Sequence, residues 1–210
     1  MRRRWYAVEM DDPLRASWAR DGLPVEPALE ARLRALYATP PRAYHCAAHV
    51  DEVLARFDEC RHLLLDPRVV FWALLFHDAV YLAGRKDNEE RSAEAFRAAQ
   101  VLPALAAEVC AVILATARHG KIERREVDAD TALALDCDMA ILGASPERFR
   151  EYDAQIAEEY SGLVTSLFYR AGRRRFLQGL LDRERIYLSD FFHARLEAQA
   201  RANLTAALGE

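Results

Sequence analysis

Thirty-eight alanines and 27 leucines stand against only 22 valines, isoleucines and threonines in this 210-residue chain. Alanine and leucine are the best helix formers, whereas β-branched side chains favour strands. The imbalance nearly excludes an all-β fold and leaves too little Val and Ile for a buried parallel sheet. Prolines and glycines then cut the chain into helices of ordinary length. Asp12-Pro13 opens a short one carrying Leu14 and Trp18, and Pro27 opens the next, with Leu29, Leu33 and Leu36 on one face, until Pro40-Pro41 ends it. A helix over about Tyr44 to Leu65 places Val50, Val53, Leu54 and Phe57 at helical spacing, and Asp66-Pro67 breaks it. Val69 to Tyr81 is apolar all round and reads as a central buried helix. Beyond a loop at Gly84, Asn88 reads as an N-cap with Glu89 and Glu90 in the first turn. Further helices run from Pro103 to Gly120, Thr131 to Leu142, Ser145-Pro146 to about Tyr160, Gly162 to Leu181 and Ser189 to Leu208. With no repeat or long linker, the expectation is an all-α, single-domain bundle of eight to ten helices.

Other classes fall to simple limits. The longest uninterrupted apolar run, Val69 to Phe76, is far short of a membrane span. Arg2-Arg3-Arg4 has no apolar stretch behind it, so no signal peptide is read and a cytoplasmic protein is expected. A net charge of −4 argues against bulk nucleic-acid binding. Cys46, Cys60, Cys110 and Cys137 form no CxxC pair and each falls in an apparent helix, as small buried residues of a reducing compartment do.

The chemistry concentrates in few residues. His45 and His49 are spaced i, i+4, which on a helix puts both rings on one face about 6 Å apart. His77-Asp78 closes the most apolar segment, where an ionisable pair is costly unless something satisfies it. Asp136 and Asp138 flank Cys137 in another apolar stretch. Any one of these, alone, fits a hydrogen-bonded core residue or a cap. Together, imidazoles and carboxylates on separate apolar helices are most economically explained by convergence on a divalent cation. The sequence leaves its identity open among Zn, Mn, Mg, Fe, Ni and Co, and its number at one or two.

The order H…HD…D on an all-helical chain resembles the HD superfamily of metal-dependent phosphohydrolases. The resemblance rests on Pro41-Arg42-Ala43-Tyr44-His45 with His49, Phe76-His77-Asp78-Ala79-Val80-Tyr81, Asn88-Glu89-Glu90-Arg91-Ser92-Ala93, Ala115-Thr116-Ala117-Arg118-His119 and Leu135-Asp136-Cys137-Asp138-Met139. In that order they are similar to a group of small predicted phosphohydrolases whose physiological substrate is not established. It extends through Glu159-Tyr160, Gly172-Arg173 and Ala200 to Leu204, nearly the whole chain. More distantly, the motifs resemble cyclic-nucleotide phosphodiesterases, whose Tyr-His-Asn-x-x-His segment corresponds to Tyr44 to His49 with Cys46 in the Asn position.

The resemblance implies a division of the bundle: 1–40 packs on a metal-site core over 41–143, and 144–210 supplies C-terminal helices. It implies His49, His77, Asp78 and Asp138 as metal ligands. Asp138 is preferred to Asp136 because the family's last ligand precedes an apolar residue, as Asp138 precedes Met139. Asp136 then orients a ligand imidazole from behind, with Thr116 in a similar supporting position. His45 becomes the general acid that protonates the leaving oxygen, and Glu89 or Glu90 a catalytic acid, though both also fit first-turn helix acids. Arg118, His119 and Arg42 face phosphate oxygens or a second metal, while Arg173 stands out from the Arg173-Arg174-Arg175 run. The implied substrate is a small phosphorylated molecule or nucleotide. A di-iron oxygenase or hydratase on the same scaffold, and a non-catalytic nucleotide-binding regulator that keeps the metal site, are the alternatives. Homo-oligomerisation is left open.

Overall fold

The computed structural model describes residues 17–40 and 42–209. Among them the fold is all-α, with no sheet and two isolated β-bridges. Nine α-helices follow one another: α1 (Pro27–Tyr37), α2 (Ala47–Cys60), α3 (Pro67–Phe76), α4 (Asn88–Ala99), α5 (Ala106–Thr116), α6 (Ala129–Met139), α7 (Pro146–Glu159), α8 (Ser166–Leu181) and α9 (Asp190–Gly209). None of the described helices is long and apolar enough to cross a membrane.

The centre is α3. Every residue from Val69 to Phe76 is buried, and the helix packs against α2, α4, α5 and α6. It starts where the sequence says it should: Pro67 takes the first position, and the Asp66 carboxylate accepts from the Arg68 N–H at 3.0 Å. Likewise Ser145 caps α7 with Pro146 behind it, and Pro27 opens α1.

Several expected helix ends differ by a few residues, and three of them bear on the site. The α3 helix stops at Phe76 rather than Tyr81. Ser92 Oγ takes the Val80 amide, which a continuing helix would give to the Phe76 carbonyl, so the ladder cannot continue, and Arg42 satisfies the carbonyls of Asp78 and Ala79 beyond it. The α2 helix begins at Ala47 rather than Tyr44, because Cys46 is extended at φ −113° and ψ −175°; Glu159 accepts from the N–H groups of Tyr44 and His45, at 2.8 and 2.9 Å, in the segment before it. His45 therefore precedes the helix instead of sharing its face with His49, and Cys46 occupies the N-cap position rather than a helical one. Asn88 is the first residue of α4, not its cap; its side chain turns back to bond both the N–H and the carbonyl of Leu82.

The N-terminal expectation is met only in part. Residues 12–16 lie outside those described, and Trp18 is buried but not helical: its indole N–H donates to Asp51 at 2.7 Å and its ring meets Tyr37 edge-on. Cys60 and Cys137 are buried free thiols with sulfurs 3.7 Å apart.

After α6 the chain tightens into a 3₁₀ turn, Ala140–Gly143, against which α9 packs. The contact needs glycine. A Cβ on Gly143 would stand 2.7 Å from Leu196 Cβ and 2.9 Å from both the Leu196 carbonyl and Tyr187 Oη. Gly143→Ala is expected to cost about 2 kcal/mol by overpacking, or about 4–8 °C in Tm for a chain of this length. An unchanged melting temperature in differential scanning calorimetry would refute the close contact.

Candidate metal centre

The ends of three helices meet at one point. His49 sits in the first turn of α2, His77 and Asp78 follow the last residue of α3, and Asp138 lies in the last turn of α6. His49, His77 and Asp78 are buried, and the Asp138 side chain is 10% exposed. One ligand atom each from His49, His77 and Asp138 lies within 4.8 Å of the others, and the three could hold a metal ion. His49 Nε2 and His77 Nε2 are 3.1 Å apart. Asp138 Oδ1 is 3.3 Å from the first and 3.6 Å from the second. Asp78 Oδ2 completes the set at 3.2 Å from His77 and 3.8 Å from His49.

Those separations suit a cation. Ligand atoms about 2.0–2.1 Å from a tetrahedral ion stand roughly 3.3 Å from one another. The His77 tautomer suits it too: Nδ1 lies 2.7 Å from the Leu74 carbonyl, a pure acceptor, so the proton sits on Nδ1 and the Nε2 lone pair faces the cluster. His49 Nδ1, by contrast, is buried with no partner among the described residues. A 240 Å³ cavity between α2 and α7 reaches His49 and Asp138 from behind.

The electrostatics show what the cluster demands. Burial pushes against charge on His77, yet Asp78 and Asp138 outweigh it and raise its pKa well above that of free histidine. Burial would raise both carboxyls, but the imidazoles around them hold Asp78 and Asp138 below the ordinary range. Two buried carboxylates facing two imidazoles attract positive charge strongly, which protons or a divalent cation can supply.

His119 follows α5 and touches the same cluster, with Nδ1 2.9 Å from Asp138 Oδ2. Asp138 thus faces the ligand imidazoles with one oxygen and His119 with the other. Burial lowers the His119 pKa, but the Asp138 carboxylate more than reverses it.

His45 is held by a residue to which the sequence assigns no role. Glu159, at the end of α7, accepts from the Tyr44 and His45 amides through one oxygen and meets His45 Nδ1 at 2.6 Å through the other. Burial pushes the Glu159 carboxyl up, and these contacts pull it below its usual value. Tyr81 stacks on the imidazole at 4.0 Å. With Nδ1 engaged, Nε2 is the nitrogen left to the cleft. Cys46 in place of Asn thus does not leave His45 unsupported.

A cleft of 490 Å³ opens over this floor, lined there by His45, His77, Asp78, Glu89, His119 and Asp138. Thr116 also lines it, but its hydroxyl donates to the Ile113 carbonyl, not to a ligand imidazole. Glu89 is half-buried in the cleft and its carboxyl is raised, chiefly by that burial, whereas Glu90 points to solvent. Arg118 is exposed and pairs with Glu126 at 3.3 Å, away from the cleft. Arg42 does not line the cleft; its guanidinium bonds the carbonyls of Leu36, His45, Asp78 and Ala79. Asp136 orients no imidazole either. It accepts from the Leu188 and Ser189 amides at 2.8 and 2.6 Å, holding the approach to α9, and burial raises its pKa to about 6. The opposite wall of the cleft, from α7 and α8, is aromatic and apolar, with Tyr152, Tyr160, Phe168, Tyr169 and Phe176. Arg173 emerges there, while Arg174 and Arg175 are exposed. His62 and His193 lie outside the cleft, against Phe191 and Glu197.

Fold and site together define an all-α protein with a buried His/Asp cluster able to hold a metal at the floor of an open cleft. No protein-family model, curated protein or solved structure matches the chain.

Proposed function

We propose that this protein is a metal-dependent phosphohydrolase of the HD superfamily, acting on a small phosphorylated molecule. The observation that carries the reading is the convergence of His49, His77, Asp78 and Asp138 at 3.1–3.8 Å on the floor of a cleft, with two further imidazoles beside it that a purely structural ion does not require. A divalent cation bound there supplies Lewis acidity and makes hydroxide available near neutral pH. The chain does the rest. His45 Nε2 gives a proton to the leaving oxygen, with Glu159 fixing the ring through Nδ1. His119 donates toward a phosphoryl oxygen at the edge of the cluster. Glu89 lines the cleft beside them, its carboxyl raised by burial, as a further acidic group within the site.

Elemental analysis of the purified protein, followed by a phosphoester panel with the metal found, tests this. Turnover of at least one phosphoester that stops on chelation is expected. Two irons per chain with oxygen consumption, or nucleotide binding without any turnover, would overturn it in favour of an oxygenase or a regulator.

Glu159→Gln separates positioning from metal binding. General acid catalysis contributes about 10²–10⁴-fold, and removing its orienting carboxylate is expected to lower kcat by about 10–100-fold with KM and metal content unchanged. Unaltered kcat would remove His45 and Glu159 from the mechanism.

A further inference from the structure

On α8, two buried polar atoms have no hydrogen-bond partner among the described residues, Tyr169 Oη and Arg173 Nη2. They belong to residues one helical turn apart, both lining the cleft. A buried donor left unpaired costs stability, and folded proteins retain few without a reason. Two on one wall of one cleft call for an acceptor from outside the chain.

The remainder of Arg173 indicates what kind. Its Nε donates to Asp153 at 2.8 Å and its Nη1 to Tyr152 Oη at 3.3 Å. The pairing with Asp153 already balances its charge, so the free donor suits a neutral acceptor better than a second anion. The guanidinium lies 4.9 Å from the Tyr152 ring centre and 5.5 Å from that of Phe176, and Tyr160 stands 5.8 Å from Tyr169. Flat aromatic walls with two donors between them fit a flat ring carrying carbonyl oxygens or ring nitrogens. From His49 the path to this place runs through Tyr44 and Tyr152 to Arg173, in centre-to-centre steps of 4.7, 4.6 and 4.9 Å. The metal cluster and these α8 residues line one cleft of 490 Å³, large enough for a phosphate at the first and a ring at the second. Both donors are shielded from water, so engaging them requires the two side chains to turn toward the ligand.

We infer that Tyr169 and Arg173 form a specificity subsite for a planar heterocycle bearing hydrogen-bond acceptors, and that the substrate is a phosphate ester of a nucleoside-like molecule rather than of a sugar or alcohol. The phosphate half rests on the proposed hydrolase; the ring half rests on α8 alone. Burial also raises the Tyr169 hydroxyl pKa to about 12, keeping it a donor.

Calorimetric titration of the full chain tests it, using non-hydrolysable phosphonate analogues of uridine monophosphate, ribose 5-phosphate and benzyl phosphate. The uridine analogue is expected to bind about ten-fold or more tighter than the ribose analogue, from ring stacking. Tyr169→Phe is expected to weaken the uridine analogue by about five-fold, one hydrogen bond's worth, and to leave the benzyl analogue unchanged. Because it removes only an unpaired hydroxyl, this variant is expected to melt no lower than the native protein. Arg173→Lys, which keeps the charge but loses the planar fork, is expected to act in the same direction. Equal binding of the uridine and ribose analogues, or an unchanged uridine-to-benzyl ratio in Tyr169→Phe, overturns the subsite. If no phosphonate binds, the hydrolase reading fails, and uridine alone still decides the ring: saturable binding weakened by Tyr169→Phe supports the subsite, and no binding overturns it.

Discussion

If the proposed hydrolase reading holds, His77→Ala protein is expected to be purified without the divalent metal expected of the native chain, and to hydrolyse a generic phosphoester about a thousand-fold more slowly, the several kcal/mol that a metal contributes to such chemistry. His77 is the right position because it is the hub: its Nε2 lies within 3.6 Å of atoms from all three other members of the cluster. Its Nδ1 bond to the Leu74 carbonyl at 2.7 Å anchors the ring to α3 and leaves no tautomeric freedom in the neutral state. Alanine removes a proposed ligand and leaves Asp78 without its main compensating partner, so the variant is expected to lose stability as well as activity. Asp138→Asn guards against that confusion. It preserves shape while removing the charge shared by His49, His77 and His119, and it too is expected to lose metal and turnover. Plasma mass spectrometry on both proteins, with circular dichroism to confirm folding, is the measurement. Native metal content and native turnover in both variants would sink the metal centre and the proposed chemistry together.

Where helices begin was legible where the signal is local. Asp66-Pro67 and Ser145-Pro146 mark their helices because the cap and the group it bonds lie within three residues. Where α3 ends was not legible, because Ser92 claims the Val80 amide from 12 residues away, and the segment before α2 is held by Glu159 from up to 115 residues away. The same division runs through the site. His49, His77, Asp78 and Asp138 stand out as polar residues in apolar surroundings, and the structure brings all four together. Spacing by two also separates Asp136 from Asp138 on a helix, since side chains there rotate about 100° per residue. What Asp136 does on its own face depends on amides 52 and 53 residues downstream, which no pattern announces. Glu159 falls in the Glu159-Tyr160 segment of the resemblance, but in its charged helix end, Glu158-Glu159, no role for it is legible until its partner is known. Arginine is the most deceptive case. Arg42, Arg118 and Arg173 are equivalent as letters, and the structure makes one a backbone strap, one a surface ion pair and one part of the cleft wall.

Arg42 leads to the second large effect. Its Nη1 donates to the His45 and Asp78 carbonyls at 3.0 and 2.6 Å, and its Nη2 to Leu36 and Ala79 at 3.1 and 3.2 Å. One side chain thus ties the end of α1, the segment before α2 and the turn carrying Asp78. Its guanidinium also approaches the rings of Tyr37 and Tyr81, the latter stacked on His45. Hydrogen bonds from charged donors contribute about 1.5–3 kcal/mol each and are not additive, so Arg42→Ala is expected to lose about 3–5 kcal/mol of stability. In a chain of this length that is a fall of about 10 °C in Tm. Metal affinity is expected to fall about 10–100-fold as well, because the turn that aims Asp78 loses its anchor. Arg42→Lys retains the charge but cannot reach four carbonyls from one ammonium, and should fall between the two. A phosphate-binding arginine predicts a different pattern: KM rises while Tm and metal affinity hold. Thermal melting, metal titration and steady-state kinetics on these two variants distinguish the patterns, and a native Tm in Arg42→Ala would show that the four carbonyls do not need their donor.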